Sequence, residues 1–471
     1  MAKRSKFSLF FMVCILAVLA VGGYLLFEDR DAPEIRLSHS GDSISPTLPV
    51  TLTVTDPTSA VKQVSVVVRF QENVVHVAES VFSDGGKTRQ VTFTLDNAGL
   101  KHNDTFDLEI TAVDASFGGF GFGNKGQVIL PLRLDAAPPR MSVKTPVPYV
   151  RRGGTAAVVY SINKEVTQTG VMVNDLFFPA FRQETGDFLC FFAFPYYMEG
   201  KDYKPRLVAL DAAGNHNDVG LPVTAMPRQF KSDTINIGQG FLDAKAAEFE
   251  SIVPGRMTDI ERFLLVNGEV RKHNAQTLLE IGRHTAGEML WKGAFLRLPR
   301  AASRAGFADH RTYLWEGEKV DEQTHLGFDL ASTKQAPVPA ANSGTVVFAG
   351  YLGIYGYLVV IDHGLGLQSL YSHLSEIGVE NGAVIAKGDI IGKTGATGMA
   401  GGDHLHFGIL VSGLEVTPLE WLDDHWIKDN IIDRIKDAGG IAPEFAIAPP
   451  APEKKPQQKK QQKPQQKPRR R

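Results

Sequence analysis

The sequence predicts a multidomain, mainly β protein with one apolar helix at its N-terminus and a disordered tail at its C-terminus. Its length of 471 residues exceeds that of a usual single domain. Short segments of alternating apolar and polar residues, separated by Gly and Asn/Asp turns, recur from about residue 32 onward and predict β-strands. Charged residues make up 22% of the chain, which favours folded domains over disorder for most of it.

The N-terminal element is an apolar run of 21 residues, from 7 to 27. A helix needs about 20 such residues to span a bilayer. Three basic residues precede the run, so we expect the N-terminus in the cytoplasm and the rest of the chain across the inner membrane, in the periplasm. The alternative is a cleaved signal peptide. The run continues past the weak cleavage sites near Ala20, which favours an uncleaved single-pass anchor over residues 1–31.

Residues 32–226 predict two β-sandwich domains, at 32–135 and 136–226. Pro33-Glu34-Ile35 recurs as Pro139-Arg140-Met141, and the segment around Asp114 recurs around Asp211. These offsets of 106 and 97 residues suit repeated domains of about 100 residues. The two domains weakly resemble immunoglobulin-like modules of bacterial surface proteins. We expect them to act as spacers, and the sequence does not identify a ligand for them.

Residues 227–300 predict a helical connector. Thr258 and Glu261 form a capping-box pattern before an apolar stretch of helical period. The connector is expected to pack on the domain that follows it. A second hypothesis, which rests only on its position, is that it covers a functional groove as a regulatory lid.

The strongest chemical signal is a set of histidines and one aspartate in three short segments. His404 and His406 are separated by one residue, which places both imidazoles on one face of a strand. His325 lies four residues before Asp329, and His373 stands alone between the two pairs. Nitrogen and carboxylate ligands in this ratio suit a Zn²⁺ ion with an open coordination position. Spacing alone leaves open whether His404 or His406 supplies the third ligand.

Six further motifs surround these residues in a fixed order: Pro337–Ala341, Gly344–Val346, Ile361–Gly364, Gly382–Val384, Gly388–Gly392 and Gly395–Gly398. With them, residues from about 300 to 425 resemble the lysostaphin/LytM-type zinc metalloendopeptidases, which cut peptide bonds in bacterial peptidoglycan. Two positions differ from many relatives, since Asp403 precedes the histidine pair and Gly408 follows Phe407.

The resemblance implies an antiparallel β catalytic domain at 301–425 with a narrow groove. It implies that His325, Asp329 and His406 bind one Zn²⁺, and that His373 and His404 are the catalytic histidines. The predicted function is hydrolysis of peptidoglycan stem peptides or cross-links. The alternatives are a non-catalytic regulator that binds and activates a cell-wall amidase, a structural protein with a stabilising zinc, and a peptidase that acts on a protein.

Other polar residues near these motifs have simpler interpretations. His363 is expected to be structural and to hold the turn at Gly364. His310 and His425 have no motif and no assigned role. Arg311 and Tyr313 are candidates for substrate contact, but a structural role is favoured for both.

The C-terminal end predicts an extension at 426–447 and a disordered basic Pro/Gln/Lys tail at 448–471. Residues 451–471 contain six lysines, three arginines and one glutamate, and so carry a net charge of +8. The whole chain carries −2, which leaves −10 on the remainder. The tail could bind anionic lipid or cell-wall polymer, or it could have no partner. The expected location argues against nucleic acid as a partner.

Overall fold

The computed structural model describes residues 3–26, 29–117 and 121–442, and most of these residues that lie in regular elements are in β-strands. The prediction of a mainly β protein is therefore confirmed. The first helix is α1 (Lys3–Leu26), and the structure describes its side chains for residues 8–24. Within the described residues, no helix is both long and apolar enough to cross a membrane. The anchor at 7–27 stays a prediction, and its end at residue 27 lies outside the described residues.

The first β region contains two sheets that share one core. Alternate residues such as Val50, Leu52 and Val54 point inward and are fully buried, as the alternating sequence requires. One sheet has the order β1-β3-β6 and the other β2-β8-β7-β4-β5. The strands are β1 (Glu34–Leu37), β2 (Ser43–Ile44), β3 (Val50–Thr55), β4 (Val61–Phe70), β5 (Asn73–Val81), β6 (Thr88–Phe93), β7 (Thr105–Asp114) and β8 (Lys125–Leu134).

The second β region repeats this plan with the sheets β14-β15-β11-β9 and β13-β12-β16-β17, and with a parallel pair formed by β10 and β18. Asp114 is the last residue of β7, and Asp211 directly follows β16. The assignment of both regions to the immunoglobulin-like class stays a prediction. The strands are β9 (Met141–Thr145), β10 (Tyr149–Arg151), β11 (Thr155–Ile162), β12 (Gln168–Val173), β13 (Leu176–Pro179), β14 (Phe181–Arg182), β15 (Phe188–Ala193), β16 (Arg206–Leu210), β17 (His216–Gly220) and β18 (Thr224–Met226), with a 3₁₀ turn at Gly200–Asp202.

The connector is helical only in its middle. The strand β19 (Ser232–Asn236) precedes α2 (Gln239–Ile252), α3 (Asp259–Leu265), a π-helical turn (Val266–Val270) and α4 (Arg271–Ile281). The capping box at Thr258 and Glu261 is present. Residues 282–301 form no helix or strand. The helical prediction for the whole of 227–300 was thus too broad, because β19 depends on parallel pairing with a strand that lies far along the chain.

The last region is a ten-stranded sheet with a three-stranded sheet beside it. The main order is β20-β23-β30-β27-β26-β25-β28, with β24, β29 and β31 attached, and the small sheet has the order β19-β21-β22. The strands are β20 (Ala302–Ala305), β21 (Asp309–Trp315), β22 (Glu318–His325), β23 (Phe328–Ala331), β24 (Pro337–Pro339), β25 (Gly344–Tyr351), β26 (Tyr357–Asp362), β27 (Leu367–Ile377), β28 (Val384–Ile385), β29 (Ile390–Thr394), β30 (Leu405–Val411) and β31 (Leu414–Val416), with a 3₁₀ turn at Gly353–Tyr355.

Three short helices, α5 (Pro418–Trp421), α6 (Asp424–Ile427) and α7 (Asp433–Asp437), and a π-helical turn (Lys428–Ile432) close the described chain. Trp421 is fully buried, and its ring lies against Phe191 of the second β region and Trp291 of the connector. One hydrophobic core therefore continues from the second β region into the ten-stranded sheet. The predicted basic tail at 448–471 lies outside the described residues.

Candidate metal centre

The three predicted metal ligands meet where two neighbouring strands run side by side. His325 ends β22, and Asp329 lies in β23 after a turn at Gly327. In the antiparallel pair formed by β23 and β30, Asp329 is directly opposite His406. Residues that face each other in this way have side chains on the same side of the sheet, so the backbone register itself brings the carboxylate to the imidazole.

The ligand atoms of this trio lie very close together. His325 Nε2 is 2.8 Å from Asp329 Oδ1 and 2.9 Å from His406 Nδ1. His406 Nδ1 is 3.0 Å from the same carboxylate oxygen. All three residues are at least nine-tenths buried, with exposed fractions between 5% and 9%. The site is therefore a compact, largely dry cluster of two nitrogens and one oxygen.

Hydrogen bonding decides which nitrogen of His325 faces the cluster as an acceptor. His325 Nδ1 donates to the backbone oxygen of Gly306 over 2.7 Å, since a carbonyl oxygen can only accept. In the neutral ring, Nε2 then carries a lone pair and faces the oxygen of Asp329. A cation among the three atoms would give these facing acceptors a common partner. Two imidazoles and one carboxylate are a catalytic zinc set, and the carbonyl behind His325 is the usual partner of a zinc-bound histidine.

The two remaining predicted histidines stand beside this cluster. The rings of His373 and His404 have centroids 4.9 Å apart, and His373 is 5.7 Å from the ring of His406. His373 Nδ1 donates to the backbone oxygen of Thr397, and His404 Nδ1 donates to that of Gly402, each over 2.8 Å. Both rings therefore keep Nε2 available as an acceptor in the neutral form. Nε2 of His404 lies 3.4 Å from Asp329 Oδ1.

The backbone at His373 is strained. Its φ is +60°, a left-handed conformation that side chains with a Cβ rarely adopt. The register of β27 shifts just beyond this residue, between Leu374 and Glu376. The hydrogen bond from His373 Nδ1 to the Thr397 backbone oxygen holds the ring in place. The strand β30, which pairs with β27, is buried at every residue and supports it. Strain of this kind collects at functional sites, because only a surrounding structure that fixes the residue can maintain it.

The pKa values of the four side chains are shifted in different directions. Burial would raise the pKa of Asp329, but the imidazoles of His325, His404 and His406 around its carboxylate hold that pKa well below its usual value. Burial lowers the pKa of His406 to about 4. Burial and the neighbouring histidines also lower the pKa of His373 well below its usual value. For His404, the hydrogen bond and charge of Asp329 outweigh burial and raise the pKa.

Three further polar residues surround the cluster, and the sequence pattern did not assign them to it. Arg311 Nη2 donates to Asp329 Oδ2 over 3.0 Å, which holds the carboxylate so that Oδ1 faces the histidines. Tyr355 has its ring 6.0 Å from that of His406 and donates to Glu415 Oε1 over 3.1 Å. Burial raises the pKa of Glu415. Arg311 was a sequence candidate for substrate contact, whereas Tyr355 and Glu415 carried no motif that could have identified them.

The trio opens into a cavity of about 430 Å³. Part of its lining is apolar and consists of three connector residues, Ile235, Phe241 and Phe263. The connector also packs on the ten-stranded sheet, because Phe263 shares a buried cluster with Leu358. The packing expected of the connector is thus present, and its role as a regulatory lid stays a prediction.

The other histidines lie away from the cluster. His363 is fully buried, with Nδ1 donating to the Ser343 backbone oxygen and Nε2 2.7 Å from Ser369 Oγ. Burial lowers its pKa to about 4. His310 faces Glu322 at the surface, and His425 is exposed beside Asp423. These positions agree with a structural role for His363 and give no function to the other two.

Comparison with known proteins identifies the family of this site. Residues 323–418 match the model of Peptidase family M23, so the chain carries an M23 peptidase domain there. The match includes four of the five predicted site residues within the strands described above and His404 immediately before β30. The match covers part of the last region alone and leaves both β regions outside it.

Several curated proteins are similar over this domain. The DD-carboxypeptidase/endopeptidase Mpg of Neisseria meningitidis is 39% identical over 95 residues, which are 20% of this chain and 22% of that protein. The peptidoglycan DD-endopeptidase ShyB of Vibrio cholerae is 32% identical over 164 residues, 34% of this chain and 37% of that protein. Stage II sporulation protein Q of Bacillus subtilis is 39% identical over 101 residues, 21% of this chain and 36% of that protein.

The matched segments are short compared with the whole proteins. The chain spans between about a fifth and about two fifths of the length of these relatives. Among solved structures, the catalytic domain of lysostaphin from Staphylococcus simulans aligns with 26% of this chain and 94% of its own, at 27% identity and a TM-score of 0.24.

Proposed function

We propose that the M23 domain is a zinc-dependent endopeptidase that hydrolyses peptide bonds in peptidoglycan stem peptides or cross-links. The observation that carries this proposal is the convergence of His325 Nε2, Asp329 Oδ1 and His406 Nδ1 within 3.0 Å of one another. Two further histidines with available Nε2 atoms stand beside them. The relatives named as peptidoglycan endopeptidases support the substrate class.

The donor set fits zinc, and His325, Asp329 and His406 would hold it. When bound, the metal lowers the pKa of a water molecule and polarises the scissile carbonyl. Arg311 holds the second oxygen of Asp329 and so fixes the direction of the first. The backbone oxygen of Gly306 fixes the ring of His325 in the same way. These two contacts orient the metal ligands. Removal of such a contact typically lowers metal affinity by about 10- to 100-fold.

His373 and His404 would move the proton. A neutral imidazole whose Nδ1–H is bound to a carbonyl can accept a proton only at Nε2, and both rings meet this condition. One of them takes the proton of the attacking water and then, as an imidazolium, donates it to the nitrogen of the leaving amine. The other ring lies within 5 Å and, when it is protonated at Nε2, can donate to the oxygen that becomes negative.

The cellular location follows only from the substrate. Peptidoglycan lies outside the cytoplasmic membrane, so we place the M23 domain there. We keep inner-membrane anchoring through residues 7–27 and binding of the basic tail to anionic surfaces as parts of the proposal. Each requires its own localisation and binding measurement.

The second candidate is a regulator without catalysis that activates a cell-wall amidase. It is favoured by the similarity to a protein named for a sporulation stage and not for a peptidase activity. A regulator needs neither a complete ligand trio nor two additional histidines. The presence of all five side chains in one cluster therefore favours the enzyme.

Two alanine variants test the assignment of roles. His406→Ala removes a ligand, so we expect loss of both zinc and activity. His404→Ala leaves the trio intact, so we expect bound zinc to remain while kcat falls by about 10²- to 10⁴-fold, the usual share of a general acid or base. Zinc is measured by elemental mass spectrometry on the purified full chain, and activity by release of soluble muropeptides. Near-normal turnover in His404→Ala would show that the proton-transfer role is wrong.

A further inference from the structure

A second cluster of acidic side chains lies in the first β region, far along the chain from the M23 domain. Asp29, Asp56 and Asp114 each offer one carboxylate oxygen, and these oxygens lie within 4.8 Å of one another. The exposed fractions of the three residues are 8%, 1% and 0%. Three carboxylates at such short range repel one another strongly when they are ionised, and burial makes each charge costly.

Backbone and side-chain donors satisfy only part of this cluster. Asp56 Oδ1 accepts from the backbone nitrogens of Thr58 and Ser59, at 2.9 and 2.6 Å. Asp114 accepts from Asn124 through both oxygens, from the backbone nitrogen at 2.7 Å and from the side-chain amide at 2.9 Å. These contacts orient the carboxylates but supply no positive charge.

Two carboxylate oxygens have no hydrogen-bond partner. Asp29 Oδ2 and Asp56 Oδ2 are both inaccessible to solvent and accept no hydrogen bond in the described part of the chain. No described lysine, arginine or histidine forms an ion pair with any of the three aspartates. Buried carboxylate oxygens are normally paired or coordinate a metal, because an unpaired one forfeits its hydration without compensation.

The second β region shows what occupies the corresponding place there. Lys164 Nζ donates to Asp135 Oδ2 over 2.7 Å and to Asp211 Oδ2 over 2.5 Å. Asn215 donates from its backbone nitrogen and side chain to Asp211, and from its side chain to the backbone oxygen of Asp135. A single ammonium group thus pairs with both carboxylates of this cluster and balances one of their two negative charges.

The two clusters occupy equivalent positions in the repeat. Asp114 ends β7 as Asp211 follows β16, and Asn124 contacts the Asp29 backbone oxygen as Asn215 contacts that of Asp135. Asp29 and Asp135 are 106 residues apart, which is the offset of the repeated sequence motifs.

The first region, however, has an acid where the second has a base. Asp56 follows β3 directly, and Lys164 lies two residues after β11, the corresponding strand. The first cluster therefore has one more negative charge than the second and lacks the positive charge that balances it.

We propose that Asp29, Asp56 and Asp114 bind one Ca²⁺ ion, which takes the place that the Lys164 ammonium fills in the second β region. Ca²⁺ accepts six to eight oxygen ligands in flexible geometry, whereas Mg²⁺ demands a near-ideal octahedron and retains several waters. A buried cluster of carboxylates suits the first ion better. We expect a dissociation constant of about 10⁻⁴ M, as in extracellular calcium modules.

The site would fix the segment that follows α1 to the first β region. Asp29 lies three residues after the end of that helix, and its partners in the cluster lie after β3 and at the end of β7. Arg30, the next residue, is exposed. Calcium binding should therefore restrict the backbone around Arg30 and slow its cleavage by trypsin.

The test is calorimetric titration of CaCl₂ into the zinc-loaded full chain after calcium has been removed. Asp56→Asn keeps an oxygen for the Thr58 and Ser59 nitrogens but removes the unpartnered carboxylate oxygen. Asp96→Asn changes an exposed aspartate of the same region and is the matched control. Asp56→Lys introduces an ammonium group as in the second β region. Because this group supplies the positive charge of the proposed ion, the variant should stay folded without calcium.

We expect one calcium site in the wild type and in Asp96→Asn, at least tenfold weaker binding in Asp56→Asn, and none in Asp56→Lys. Calcium should protect the Arg30–Asp31 bond from trypsin in the wild type and in Asp96→Asn, but not in Asp56→Lys. The proposal is overturned if the folded wild type binds no calcium at about 10 mM, if Asp56→Asn binds as tightly as the wild type, or if Mg²⁺ binds more tightly than Ca²⁺.

Discussion

Glu420 provides a pH-dependent test of how the M23 domain is joined to the second β region. Its carboxylate Oε2 accepts from the backbone nitrogen of Thr155 over 2.7 Å, and the side chain is buried. Burial raises the pKa of Glu420 from 4.5 to about 8, although Thr155, Arg228 and Arg151 act in the opposite direction. In the folded protein, this acid therefore holds a proton at neutral pH that it would lose on unfolding.

The sign of the effect follows from proton linkage. Between about pH 4.5 and pH 8 the folded state binds more protons at this residue than the unfolded state does, so stability falls as the pH rises. One pKa unit corresponds to about 1.4 kcal/mol. The wild type should therefore lose up to about 1.4 kcal/mol per pH unit in this window, and about 4 kcal/mol across it.

Glu420→Gln removes the titrating proton and keeps an oxygen for Thr155. We expect the difference in unfolding free energy between variant and wild type to shift in favour of the variant as the pH rises from 5 to 8. Urea unfolding followed by tryptophan fluorescence is a suitable assay, because Trp421 and Trp291 pack at this junction. A difference that does not change with pH would refute the assignment of a protonated, buried Glu420.

Two other predictions concern the residues around the metal centre. His363→Ala should destabilise the domain by about 1–3 kcal/mol, because it leaves the Ser343 backbone oxygen and the Ser369 hydroxyl without their buried partner. Thermal unfolding measures this loss of stability. Bound zinc should be unchanged, and a loss of zinc would show that His363 is itself a ligand. Gly327→Ala should weaken zinc binding about 10-fold or more, since its new Cβ would lie 2.5 Å from His406 Nε2. Gly401→Ala has free space and is the control, and equal zinc affinity in the two variants would contradict the packing argument.

The cluster of His325, Asp329 and His406 agrees with the set of residues that the sequence predicted, and part of this cluster is local in the chain. His325 and Asp329 are four residues apart and join through a single turn at Gly327. His406 meets them through the pairing of β23 with β30, and the family resemblance, not the spacing, named it as the third ligand. The roles of these residues are still predictions, to be tested by the zinc and activity measurements proposed above.

The remainder of the site depends on contacts that no local pattern encodes. Arg311 reaches Asp329 across a strand pair, and Glu415 becomes buried only because β31 folds back on β30. The strand β19 was missed within a connector predicted to be helical, because its partner lies almost 80 residues away. A local hydrophobic period cannot report a pairing of that separation.

The proposed calcium site illustrates the same limit. The internal repeat was visible in the sequence through two recurring motifs. The meeting of Asp29, Asp56 and Asp114 was not, because these residues are separated by 27 and 58 positions in the chain. Only the folded arrangement shows that the first repeat has a surplus of buried negative charge and that the second has a lysine in its place.

The central claim is most directly tested by mass spectrometry of muropeptides released from purified, cross-linked sacculi by the zinc-loaded full chain, with His404→Ala as the control. The proposed mechanism predicts loss of cross-linked dimers that depends on both zinc and His404, and the products identify the bond that is cut. Unchanged cross-linking after incubation with the folded, zinc-loaded wild type, or equal product from His404→Ala, would contradict it.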